Sequence, residues 1–168
     1  MKQIIILLIL LITLPAQSFA QDKEIKNRKK IRKERLKEKI EETKFLVENK
    51  EFLFTPTHAI PMSGGSIQLD FSFDVELKND TVTSYLPFYG VAYHVDYGGR
   101  NSAFDFTQPV EKIQIKNTKN GYQVIFDVIN RQDHISFIFN ISEPGYATLN
   151  IISTNRQVMS YYGSIKAP

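Results

Sequence analysis

From residue 51 to the end, apolar side chains recur at every second position, and this period of two constrains the fold most strongly. Ile67, Leu69, Phe71, Phe73, Val75 and Leu77 alternate with Gln68, Asp70, Ser72, Asp74 and Glu76. The pattern predicts one long half-buried strand over 67–77, with one face in a core and one in water. Asn79-Asp80 reads as a turn, and Thr81 to Leu86 as the returning strand. Asn120-Gly121 lies between Val110–Lys116 and Tyr122–Asn130 and predicts a type I′ hairpin, because that turn needs positive φ. Ile135, Phe137, Phe139 and Ile141 alternate again, as do Ala147, Leu149 and Ile151, with turns at Glu143-Pro144-Gly145 and Asn155-Arg156. The expectation is an antiparallel β-sandwich or open β-barrel of about eight or nine strands. No helical stretch separates the strands, which argues against a parallel βαβ sheet.

The chain before residue 51 follows different rules. Lys2, an apolar run over 4–14, Pro15 and the small residues of Ser18-Phe19-Ala20 have the order of a secretory signal peptide. The run is shorter than the roughly 20 residues of a membrane-spanning helix. The expected organisation is a signal at 1–20, a charged helical segment at 21–50 and a β domain at 51–168. An exported, periplasmic or secreted product without a further transmembrane span follows from that reading. The absence of Cys excludes a disulfide framework, a thiol nucleophile, Cys-ligated zinc and a Cys-anchored lipid.

Residues 22–50 contain no Pro or Gly and are mostly good helix formers. Leu36, Ile40, Thr43 and Val47 share one helical face, with Leu46 beside it, so the second half can dock on a core and cover an opening. The first half lacks a continuous apolar stripe. Segment 22–50 carries 12 basic and 7 acidic residues, whereas 51–168 carries 8 basic and 11 acidic. A net charge of +5 is therefore joined to one of −3. Arg28, Lys29, Lys30, Arg32, Lys33 and Arg35 are the candidate contacts for an anionic envelope surface or protein partner. The alternative is a solvated helix. Nucleic acid is not an expected partner of an exported chain.

Catalytic signals are missing. His58, His94 and His134 form no H-E-x-x-H or H-x-H pattern, so metal binding has no support, and no cofactor motif appears. Asp133-His134 are adjacent, and adjacent strand residues face opposite ways. His94 and Asp96 could share a face, but no G-x-S-x-G elbow accompanies them. The chain is expected not to be an enzyme, and a hydrolase ranks last among the readings.

One stretch is unusual. Residues 85–99, YLPFYGVAYHVDYGG, concentrate aromatics before two glycines. Phe88, Tyr89, Tyr93, His94 and Tyr97 are the candidate ligand-binding residues, since Tyr offers an apolar face and a polar tip. The competing reading is that these rings fill the core.

Three patches carry a resemblance: Ala59-Ile60-Pro61 with Gly64-Gly65-Ser66-Ile67; Leu86-Pro87-Phe88-Tyr89-Gly90 with Ala92-Tyr93 and Tyr97-Gly98-Gly99; and Ser153-Thr154-Asn155-Arg156-Gln157 with Ser160-Tyr161 and Gly163. With the Lys/Glu-rich helix, they resemble a family of small exported bacterial proteins known as a domain of unknown function. The resemblance implies a β-rich fold and assigns no catalytic residues. Three functions stand open: a non-enzymatic module for an apolar or amphipathic ligand such as lipid, an interaction module docking through the basic helix, and, last, a hydrolase.

Overall fold

The computed structural model describes residues 16–94 and 104–168, with side chains from residue 27 onward. Helix α1 spans Ala16–Asn49, and its residues up to 38 form a unit separate from 39–168. The expected signal falls largely on residues 1–15, outside the described ones.

Ten strands follow: β1 (Phe52–Pro61), β2 (Ile67–Gln68), β3 (Asp74–Lys78), β4 (Thr81–Leu86), β5 (Phe104–Pro109), β6 (Glu111–Thr118), β7 (Gly121–Asn130), β8 (Asp133–Ser142), β9 (Tyr146–Ser153) and β10 (Met159–Lys166). Nine make one antiparallel path, β5-β4-β3-β1-β10-β9-β8-β7-β6, and short β2 pairs with β1 alone. The path curls into a nearly closed barrel, which decides between sandwich and barrel. Closure comes from the chain itself: β5 and β6 are separated only by Val110, and the bend is taken at Lys112, with φ 53° and a register shift before Gln114. Thus β5 pairs with β4 while β6 pairs with β7. Gln108 Nε2 donates to Asn130 Oδ1 at 3.4 Å across the join.

Alternation becomes geometry inside this ring. Phe52, Phe54, Val75, Leu77, Val82, Phe126, Phe137, Phe139, Leu149 and Ile151 are fully buried. Rings occupy the interior edge to face and stacked: Phe139 lies 5.3 Å from Phe52, 5.5 Å from Phe54 and 5.9 Å from Phe126, and Phe126 lies 5.1 Å from Phe137. Such pairs add to the burial of apolar area. Gly163 of β10 allows closest approach at the central seam: a Cβ there would sit 2.2 Å from the Thr55 carbonyl oxygen.

Ser84 is the exception in this interior. It faces inward from β4 between Val82 and Leu86, 1% exposed, and its hydroxyl has no hydrogen-bond partner among the described residues. An unsatisfied buried hydroxyl costs about 1–3 kcal/mol. Replacing it with Ala is expected to leave the protein as stable or up to about 1 kcal/mol more stable in urea titration. A loss above that size would reveal a partner for the hydroxyl.

Three sequence expectations change. The predicted long strand 67–77 is broken into β2 and β3. Asp70 Oδ1 accepts from the Ser72 backbone N–H at 3.0 Å and from the Ser72 hydroxyl, and this local turn competes with the sheet. Those bonds lower the Asp70 pKa, and Phe71 is 87% exposed instead of lying in the core. The Asn-Gly hairpin exists, but its loop is Lys119-Asn120, with Thr118 paired to Gly121, and neither loop residue has positive φ. Asn79 and Asp80, both at φ 52°, provide the type I′ geometry at β3–β4. On α1, the apolar stripe starts late: Thr43, Leu46 and Val47 are buried and Ile40 is half-buried, but Leu36 is exposed.

The end of α1 closes one end of the barrel. Leu46 and Val47 join the core. Thr43 sits against the β8–β9 turn, where a Cβ on Gly145 would come 3.0 Å from the Thr43 hydroxyl. Lys50 stops the helix in the left-handed region at φ 57°, and Glu51 N–H donates to Leu46 O at 3.1 Å.

Candidate functional site

The opposite end of the barrel is crossed by the segment leaving β4. Leu86 is buried and pairs with Phe104, the first residue of β5. Residues 87–94 then run to the β9–β10 loop. Tyr161, fully buried on β10, donates its hydroxyl to the Pro87 carbonyl at 2.7 Å. Burial first, and the neighbouring Tyr89 second, push the Tyr161 phenol far up, so it remains a donor. Phe88 turns inward and meets Phe104 edge to face at 5.7 Å.

Beyond Gly90 the segment docks on the loop. Val91 N–H donates to Gln157 Oε1 at 3.1 Å, and Gln157 N–H returns a bond to Val91 O at 3.0 Å. Ala92 forms an antiparallel bridge with Arg156. Asn155 O accepts from Tyr93 N–H at 2.7 Å and His94 N–H at 3.3 Å.

The loop itself is held by one carboxylate. Asp133, 5% exposed at the start of β8, accepts from the Ser153 hydroxyl at 2.8 Å on both oxygens. Its Oδ1 also accepts from Thr154 N–H at 3.1 Å, the Thr154 hydroxyl at 3.0 Å and Asn155 N–H at 3.3 Å. Arg156 Nη1 donates to Oδ2 at 2.8 Å and forms an ion pair. The Arg156 guanidinium carbon also stands 5.9 Å from the Phe104 ring centroid, within cation–π range. A buried carboxylate is tolerated here because both of its oxygens meet donors and Arg156 supplies the countercharge. The second and third resemblance patches, far apart in sequence, are thus joined by the 91–94 to 155–157 bonds, and Asp133, which belongs to neither, holds the third patch in place.

The structure divides the candidate aromatics. Phe88 is half-buried against Phe104, whereas Tyr89, Val91 and Tyr93 are exposed, with Tyr93 at 65%. His94 is exposed beside Tyr93. Tyr85, also exposed, stacks on Phe73 at 5.3 Å. Tyr97 and Asp96 lie outside the described residues, so the His94–Asp96 pairing does too. Asp133 and His134 face opposite ways, one buried and one exposed, and form no dyad. Beside Tyr85, burial and then Glu76 raise the Asp74 pKa, partly offset by Lys166. Arg28, Lys29, Lys30, Arg32, Lys33 and Arg35 are all exposed on α1, remote in sequence from this end. Among the described residues no group of three or more His, Asp or Glu could hold a metal ion. No helix among them is long and apolar enough to cross a membrane.

Sequence reasoning missed the Asp133 hub. Its only local trace was the polar turn Ser153-Thr154-Asn155-Arg156, 20 to 23 residues downstream.

The family profile of a domain of unknown function, DUF4251, matches residues 34–165, so the chain belongs to that family. A search of curated proteins returns no match. The fold is similar to the crystal structure of a DUF4251 family protein from Bacteroides eggerthii DSM 20697. The TM-score is 0.58 at 16% identity, over 77% of this chain and 87% of that one.

Proposed function

We propose that this member of a family of unknown activity is an exported envelope protein that works as a non-enzymatic binding module. Its ligand is apolar or amphipathic, of the lipid class, and it binds on the outer aromatic rim rather than within the barrel. The observation that carries this reading is the contrast between the two places. The interior is occupied by interlocked Phe rings. Tyr89, Val91 and Tyr93 instead stand exposed on a segment pinned at both ends. Fixed exposed tyrosines lose little side-chain freedom on binding and present both an apolar face and a hydroxyl.

Native mass spectrometry of protein purified from the envelope, followed by titration with a lysophospholipid below its micelle concentration, tests the proposal. A retained or titrated ligand should perturb amide signals of residues 89–94 and leave those flanking Phe137 and Phe139 unchanged. The double variant Tyr89→Ala/Tyr93→Ala should bind at least about tenfold more weakly, since buried aromatic anchors each contribute on the order of 1–2 kcal/mol. Signals confined to the barrel interior, or no binding at all, would reject it.

A further inference from the structure

The exposed part of α1 has a charge order that its composition alone does not reveal. Between residues 28 and 38, seven basic residues face two acids, and every one of these side chains is exposed. At 3.6 residues per turn, Arg28, Arg32 and Arg35 lie within about 60° of one another. Lys29, Lys33, Lys37 and Lys30 extend that arc to about 220° of the circumference. Glu34, Glu38 and Ile31 share the remainder. The two signs are segregated around the helix, not interleaved.

We infer that this arc is a docking face for an anionic lipid bilayer. A flat bilayer faces at most half of a helix at once, and an arc of about 220° turns no acidic side chain toward it over a range of roll, whereas a compact partner meets a narrow seam. A stable protein interface needs a buried apolar or aromatic centre. Between residues 28 and 38, Leu36 is the only large apolar side chain inside the arc, and Ile31 lies on the acidic side. That also excludes deep insertion of the helix, which requires a broad apolar face. Attraction therefore rests on charge, at about fivefold in affinity per basic residue near the surface. The −3 charge of residues 51–168 is repelled by the same surface, which leaves the arm as the contact. This inference does not depend on the rim site.

Co-sedimentation of the purified protein with vesicles tests it, comparing phosphatidylcholine mixed with phosphatidylglycerol against phosphatidylcholine alone. Binding is expected only to the mixed vesicles, and to disappear as salt shortens the screening length to about 3 Å at 1 M. The triple variant Arg32→Glu/Lys33→Glu/Arg35→Glu should bind about a hundredfold more weakly. A second variant, Lys30→Glu/Arg32→Glu/Glu34→Lys/Glu38→Lys, keeps the net charge but scatters the signs, splitting the basic arc into two of about 80° and 120°. It should lose at least about tenfold, with an unchanged melting curve. Equal binding to both vesicle types, unchanged binding of the scattered variant, or binding to a DNA duplex in place of vesicles would overturn the inference.

Discussion

Asp133→Ala should lower stability by about 3–5 kcal/mol, the range for removing one partner of a buried ion pair. The truncation strands Arg156, which is 19% exposed at its side chain, and removes the carboxylate acceptor of the Ser153 and Thr154 hydroxyls, while Thr154 N–H keeps only its 3.2 Å bond to His134 O and Asn155 N–H its 3.1 Å bond to Ser153 Oγ. Thr154 is already exposed, but the buried Ser153 hydroxyl and the Arg156 guanidinium gain full access to water only if the β9–β10 loop opens. Opening removes Asn155 O and Gln157 from the 87–94 segment. Amide exchange at Val91, Tyr93 and His94 should then rise far more than at Val124 or Leu149 in the core strands. Asp133→Asn should fall between wild type and Ala, because an amide oxygen can still accept from Thr154 and Asn155 but loses the charge facing Arg156. A change below about 1 kcal/mol for Asp133→Ala, with unchanged exchange at 91–94, would show that the loop is held by something else.

Phe139→Ala is the second large effect, with an expected loss of about 3–5 kcal/mol by urea titration. Phe139 is fully buried and contacts Phe52, Phe54 and Phe126, so its removal opens space between strands on both sides of the barrel. Closed rings collapse poorly around such a space, since β1 and β8 are each fixed by two neighbours. Phe139→Leu should cost about 1–2 kcal/mol, as it keeps most of the buried volume. This pair of variants also probes the rim proposal: rim binding should survive Phe139→Leu, whereas interior binding should not.

Much of the barrel was legible in the sequence because β7, β8 and β9 each bury one face and expose the other, so period two survives intact. The run 67–77 shows where that signal misleads. Its alternation is perfect, yet the Asp70 carboxylate takes up the Ser72 N–H and hydroxyl in a local turn, and Phe71 is left outside. Leu36 misleads similarly on α1: it sits on the same helical face as Ile40, Thr43 and Val47 yet is exposed. The type I′ turn went to Asn79-Asp80 instead of Asn120-Gly121, since Gly121 is already inside β7, where a Cβ would lie 2.0 Å from Ile141 O. The candidate site was legible only in halves. The aromatic run and the Ser153–Gln157 turn were each visible, but nothing local says that they dock on each other or that Asp133 holds the turn.

The seam between β1 and β10 bears on when this barrel can form. The two strands at the centre of the path come from opposite ends of the β region, with Leu53 facing Lys166 and Pro61 facing Met159. A ribosome that still holds residues 159–166 withholds β10, and β1 has no partner on that side. Local hairpins such as β7–β8 can assemble early, but the ring must wait for β10, as expected for a topology rich in distant pairings. A chain ended before Met159 should therefore present two unpaired central edges and aggregate, not fold into a smaller barrel.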